Sequence, residues 1–106
     1  ERVVGDVVRS LLPVLDDIER ADKHGDLVEG APITLIATKL RAVTERLGLV
    51  TYGAVGDAFD PNQHEALLQQ PTADVTAPTV LEVVEPGYML GSSQVRPAKV
   101  IVATPE

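Results

Sequence analysis

"LRAVTERLGLVTYGAVG", residues 40–56, changes its period part-way through. Up to residue 47 the apolar positions are Leu40, Val43 and Leu47, the three-then-four spacing that keeps one stripe of a helix apolar. Gly48 stands just past that stripe, where a helix ends most readily. Beyond it, Leu49 to Tyr52 form a short β-branched and aromatic run closed by Gly53, which reads as a strand. A helical half therefore gives way to a strand-rich half near residue 50.

Working back from this junction, the second helix carries the seam Ile33, Ile36, Leu40, Val43 and Leu47, and Pro32 suits its first turn. An earlier stretch repeats the pattern with Val4, Val8, Leu11, Leu15 and Ile18, widened by Val3, Val7 and Leu12. Pro13 falls within that first helix and should kink it or mark a junction near Leu12. Between the two lies "DKHGDLVEGAP", a connector rich in glycine and charge, in which His24 is an exposed residue by default. Two such helices make a hairpin, and one hairpin buries two apolar stripes poorly. Pairing two copies into a four-helix bundle covers them, so residues 1–50 are expected to be a dimerisation region of a homodimer, with packing against the second half of the chain as the alternative.

Working forward, "HEALLQQ", "TVLEVVEPG" and "QVRPAKVIVA" are short runs rich in Val, Leu and Thr, separated by Pro, Gly, Asp and Ser. Residues 51–106 thus read as a small β domain, with Pro97 at an edge or bulge early in the last strand. The fold class is α+β, a helical hairpin followed by a compact sheet of short strands.

Composition narrows the function. The chain of 106 residues has a net charge of −7, and residues 51–106 carry seven acids against only Arg96 and Lys99. A phosphate backbone would be repelled, and aromatic residues at 3% offer no stacking platform, so nucleic acid is an unsuitable partner. Without cysteine there is no disulfide, thiolate–zinc site or thiol nucleophile, which fits a cytoplasmic setting. No apolar run is long enough to span a bilayer. The sequence begins inside a periodic pattern without Met, which suggests a fragment of a longer chain.

"FDPNQHEALLQQP", residues 59–71, offers the one grouping that resembles chemistry: Asp60, His64 and Glu65. Position 68 is Leu, so the second histidine of an H-E-x-x-H zinc motif is missing. Asp60 instead suits a cap or Asx-turn, Pro61 suits the first position of the turn that follows, and Phe59 can plug a junction. "GAVG" at 53–56 has the spacing of a KH-type loop but no neighbouring cation, and "GYMLGSS" lacks the Gly-Lys-Ser/Thr of a phosphate loop. Ser92 and Ser93 have no evident histidine partner. The expectation is a binding protein with no catalytic residue, metal or cofactor.

Three stretches resemble the GrpE family of nucleotide exchange factors for DnaK-type chaperones. They are "LLPVLDDIERA" with Pro13, Asp16, Arg20 and Ala21; "FDPNQHEAL" at 59–67; and "VLEVVEPGYMLGSSQVRPAKVIVA" through Val80, Gly87, Tyr88, Leu90, Arg96, Ala98, Val100 and Val102. The resemblance implies a homodimer of long paired helices, a four-helix bundle and a β domain that docks on the chaperone's ATPase domain to release ADP. Most of the long N-terminal helix would lie outside this sequence. Val84 and Val102 align with positions that face the chaperone, although core valines are the ordinary alternative. Ser93 stands where some members carry a basic contact residue, so apolar contacts, or other residues such as Arg96 or Lys99, are expected to take its place. Phe59, Asp60, Pro61 and His64 become a hinge between bundle and β domain. A competing reading is a dimeric adaptor whose β domain binds another protein by edge pairing.

Overall fold

Val4, Val8, Leu11, Leu15 and Ile18 all lie on one helix, α1 (Arg2–Lys23), in the computed structural model, which describes residues 2–106. Pro13 sits inside α1, where it cannot donate to the carbonyl of residue 9, yet the helix runs on to Lys23. The junction expected near Leu12 is absent, and Leu12 is itself buried. After the connector, α2 (Pro32–Arg46) starts with Pro32 in its first turn and has no side-chain cap at Ala31. The Thr34 hydroxyl donates to the Val28 carbonyl at 2.6 Å instead, tying the connector to the first turn of α2. The stripe ends as its composition requires. Gly48 takes a φ of 96° and its N–H donates to the Glu45 carbonyl at 2.9 Å, a conformation that a side chain would oppose.

The chain divides into two units, Glu1–Leu49 and Val50–Glu106. In the first, α2 turns back on α1. Arg41 lies 3.6 Å from Glu19 and 3.8 Å from Asp22, which nineteen or more residues of continuous helix would hold roughly 28 Å away. These half-exposed pairs orient the helices more than they stabilise them. Of the seam positions, Val8 and Leu15 are buried while Val4, Leu11, Ile18 and Leu40 are partly so. Ile33, Ile36, Val43 and Leu47 are exposed, Ile36 by 61%. The buried residues of α2 are Ala37 and Thr44, two small side chains that allow the helix backbone a close approach. Within one chain the seam of α2 apart from Leu40 is therefore uncovered, and the small residues Ala37 and Thr44 are buried instead.

The second unit has two three-stranded sheets. One orders β1 (Leu49–Tyr52), β4 (Gly87–Leu90) and β5 (Ser93–Arg96); the other orders β2 (His64–Thr72), β6 (Ala98–Pro105) and β3 (Thr79–Glu85). Pro97 does not sit in a strand, contrary to the single run expected over 95–102. It separates β5 from β6 and marks where the chain leaves one sheet for the other, a position that spares both ladders a residue without an N–H. β6 is the central strand, parallel to β2 and antiparallel to β3.

Its residues Ala98, Val100 and Val102 form the core with Val80, and Tyr52, Phe59, Ala66 and Val83 pack around them. Gly87 fits this core because it has no side chain. A Cβ there would collide with the Tyr52 ring and lie 2.8 Å from the Ala98 nitrogen. The Tyr52 hydroxyl closes the assembly. It donates to the Gln63 carbonyl at 2.7 Å and accepts from Gln94 Nε2 at 2.9 Å, joining β1, the loop before β2 and β5.

Candidate functional site: the outer face of the β2–β6–β3 sheet

Because Val100 and Val102 point into the core, the alternation of a strand sends Lys99 and Ile101 to the opposite face. Register then assigns their neighbours. Glu65, Lys99 and Glu85 form one row across β2, β6 and β3, and Leu68, Ile101 and Glu82 form the next. This face is open: Glu65, Leu68 and Glu82 are exposed, and Lys99 and Ile101 are partly so.

Three register shifts interrupt the ladders, between Ala66 and Leu68, Val80 and Glu82, and Val83 and Glu85. Each leaves one extra residue on an outer strand, and the three residues are Leu67, Leu81 and Val84. All three are large, apolar and exposed. Bulges of this kind re-aim side chains and are common beside functional surfaces. The same devices blunt the edges of β2 and β3 against unwanted pairing, and Pro71 adds to this on β2.

The residues singled out in the sequence are distributed unevenly over this face. Val84 is on the surface, 50% exposed at its bulge. Val102 is not. It is 1% exposed in the core, in register with Gln69 and Val80, so its side chain is unavailable to a partner; its neighbour Ile101 holds the outward position. A shift of one residue exchanges the two faces of a strand, and an alignment alone does not show which side is covered.

Arg96 is also an internal residue, with a side chain only 14% exposed. Its guanidinium lies 3.1 Å from Glu85, donates through Nε to the Pro86 carbonyl at 2.9 Å, and stacks 5.1 Å from the centre of the Tyr88 ring. Lys99 approaches the other oxygen of Glu85 at 3.5 Å while remaining 45% exposed. Ser93 is exposed at the start of β5, next to the turn that links it to β4. The two cations expected to compensate for Ser93 are thus both directed to Glu85.

Phe59, Asp60, Pro61 and His64 belong to the second unit, about ten residues past the point where the chain passes from one unit to the other. The Asp60 N–H donates to His64 Nδ1 at 3.0 Å, and the His64 N–H donates back to the Asp60 carbonyl at 2.8 Å. Asp60 Oδ1 accepts the Asn62 N–H at 2.9 Å, the Asx-turn expected of this residue. His64 is buried between Phe59, stacked at 5.8 Å, and Tyr52 at 6.4 Å. With Nδ1 accepting, a neutral His64 carries its proton on Nε2. Further bonds from Phe59 N–H to the Pro78 carbonyl and from Ala98 N–H to the Gln63 carbonyl fix the loop to β3 and β6. Within the β unit the segment is an internal strut. Among the described residues no three His, Cys, Asp or Glu side chains gather as metal ligands.

The family model described as GrpE matches residues 1–104. This chain belongs to the GrpE family. It is 63% identical to Protein GrpE of Leifsonia xyli over 105 residues, covering 99% of this chain and 47% of that protein. It is 46% identical to Protein GrpE of Tropheryma whipplei strain Twist, covering 99% of this chain and 54% of that protein. Protein GrpE of Streptomyces coelicolor is 42% identical, with all of this chain and 46% of that protein covered. The chain spans about half the length of the curated relatives it matches. Within this GrpE-family chain the stretch "FDPNQHEAL" is thereby a loop-and-strand element of the β unit, carrying the strut His64 and the bulge Leu67. Ile101, Leu68 and Glu82 were missed as surface residues in the sequence, since only the pairing of distant strands reveals their common row.

Proposed function

We propose that this chain is the bundle and β-domain portion of a nucleotide exchange factor that binds the ATPase domain of a DnaK-type chaperone and accelerates ADP release. Membership of the GrpE family across residues 1–104 is the observation that carries this reading. Residues 1–50 would form the dimerisation region, with Ile33, Ile36, Val43 and Leu47 covered by a second copy in a four-helix bundle. Their exposure on the isolated chain supports that arrangement, since a row of large apolar residues in water is unfavourable. Residues 51–106 would dock on the chaperone through the outer sheet face, with Val84, Leu81 and Leu67 as apolar contacts and Ser93 and Lys99 at the margin. Arg96 would shape this surface from within. The setting would be the cytoplasm, during protein folding and heat stress. No helix of the described residues is long and apolar enough to cross a membrane.

No covalent step is needed. The exchange factor favours a chaperone conformation with an opened nucleotide cleft, and ADP favours the closed one. The coupling is reciprocal: the factor by which this protein weakens ADP binding equals the factor by which ADP weakens binding of this protein. A tenfold to thousandfold effect needs only roughly 1.4–4 kcal/mol of preference for the open form. A modest apolar face can supply that difference. The test is the release rate of a fluorescent ADP from a DnaK-type ATPase domain with increasing concentrations of the protein. Acceleration that saturates is expected; unchanged release with a folded, dimeric protein would refute the reading.

A further inference from the structure

Building on the exchange-factor reading, we propose that the β unit offers its partner an anionic surface, and that the matching patch on the chaperone ATPase domain is basic. The outer rows of the β2–β6–β3 sheet contain Glu65, Glu82 and Glu85 around Leu68 and Ile101, with Lys99 as the one cation in the two rows. Residues 51–106 contain only two cations, and both pair with the same carboxylate, Arg96 from within and Lys99 along the outer face. Arg96 lies 3.1 Å from one oxygen of Glu85 and Lys99 lies 3.5 Å from the other. Glu85 is consequently compensated, whereas Glu65 and Glu82 are exposed on the same face with no ion pair described for either. Ser93, exposed next to the β4–β5 turn, adds no charge.

The apolar part of the surface supplies the second half of the argument. Leu67, Leu81 and Val84 stand exposed at three separate bulges, each next in the chain to a residue of these rows, so exposed apolar side chains flank the carboxylates along β2 and β3. Docking such a patch strips water from Glu82, which shares a row with Ile101 and adjoins Leu81. An uncompensated carboxylate is costly to desolvate, so a partner suited to this face supplies Lys or Arg opposite it. Complementary charge of this kind acts mainly on the association rate and on its dependence on salt.

The experiment measures association of the full chain with the ATPase domain by stopped flow, at low and high salt. The variants are Glu82→Gln, Glu82→Lys and Glu65→Lys, with Asp74→Lys in the exposed β2–β3 turn making the same net-charge change elsewhere. For the wild type the rate constant is expected to fall with salt. Glu82→Lys should slow association by about three- to tenfold at low salt and flatten the salt dependence, with Glu82→Gln intermediate and Asp74→Lys close to wild type. Circular dichroism checks that each variant is folded, and Glu82→Gln keeps the test valid if a reversal disturbs the strand. Unchanged or faster association of the Glu82 and Glu65 variants would overturn the proposal. So would an equal effect of Asp74→Lys, which would reduce it to net charge alone. Salt-insensitive wild-type binding with intact ADP release would sink this inference and spare the exchange reading; absence of binding and of ADP release would sink both.

Discussion

Truncating Val102 and Val84 to alanine separates a core valine from a surface valine in the same sheet. Val102 is 1% exposed, so Val102→Ala removes two buried carbon groups worth about 0.8 kcal/mol each and leaves a cavity that the tightly packed Val80, Val100 and Ala98 cannot fully close. The total loss should be about 2–3 kcal/mol. Val84 is 50% exposed at a bulge, where the same truncation loses roughly half the transfer energy and opens no cavity, under about 1 kcal/mol. Both tyrosines, Tyr52 and Tyr88, lie in the second unit, and the chain has no Trp. Tyrosine fluorescence during urea unfolding therefore reports on the β unit alone. The Val102→Ala midpoint should drop markedly while that of Val84→Ala stays near the wild type. Association with the ATPase domain should show the reverse order at a temperature where both variants are folded. If Val102→Ala kept the wild-type midpoint and lost association, β6 would present the other set of residues to solvent, and the assignment of the outer face would be wrong by one residue.

Other substitutions test the remaining parts. Gly87→Ala forces a Cβ into the Tyr52 ring and against the Ala98 backbone, and should cost about 3 kcal/mol or more by urea unfolding; a near-neutral result would mean that Tyr52 is not packed there. His64→Ala removes the acceptor of the Asp60 N–H and the ring stacked on Phe59, and should lower stability by about 2–4 kcal/mol. Elemental analysis of the wild type should find no stoichiometric zinc, and finding it would contradict the strut role. Ile36→Lys places a charge in the exposed seam of α2 and should shift the sedimentation equilibrium of the chain from dimer towards monomer with the β unit still folded; an unchanged dimer would exclude that seam from the interface. Arg96→Lys cannot keep both the Glu85 contact and the Nε–H bond to the Pro86 carbonyl, and should cost about 1–3 kcal/mol in urea unfolding; wild-type stability would argue against an internal role.

What the sequence made legible was local. The stripe ending at Leu47, the glycine behind it and the β-branched run that follows each rest on residues within one or two turns of each other, and all three appear as read. Asp60 followed by Pro61 likewise pointed to an Asx-turn that needs only neighbouring backbone. The misreadings involve distant pairing. Val102 and Ile101 are equally plausible surface residues until β2 and β3 flank β6 and the core fills one face. Arg96 looks like a free cation until Glu85, eleven positions earlier, is brought beside it from another sheet. Pro97 looked like an irregularity in one strand because nothing nearby indicates that its two sides belong to different sheets.

The same pairing explains why this surface can be apolar without disturbing the fold. A regular ladder would have to place Leu67, Leu81 and Val84 in strict alternation, inserting them into the core or displacing Val83 and Val80 from it. Each bulge adds one residue at the outer strand and resets the alternation after it, so Ala66, Val80 and Val83 keep their core positions while the extra residue is turned outward. Core and exposed patch are therefore specified by different residues on the same strands. That separation allows contact residues to vary with the partner while the packing is preserved. It also means that Glu85, held between Arg96 and Lys99 at the end of the second β3 bulge, belongs to both sets. Its carboxylate pairs with both cations of the unit, Arg96 and Lys99, and its backbone closes the bulge that exposes Val84. A change at Glu85 would release positive charge onto the surface and loosen the bulge together, so its effect on docking would exceed what either loss alone accounts for.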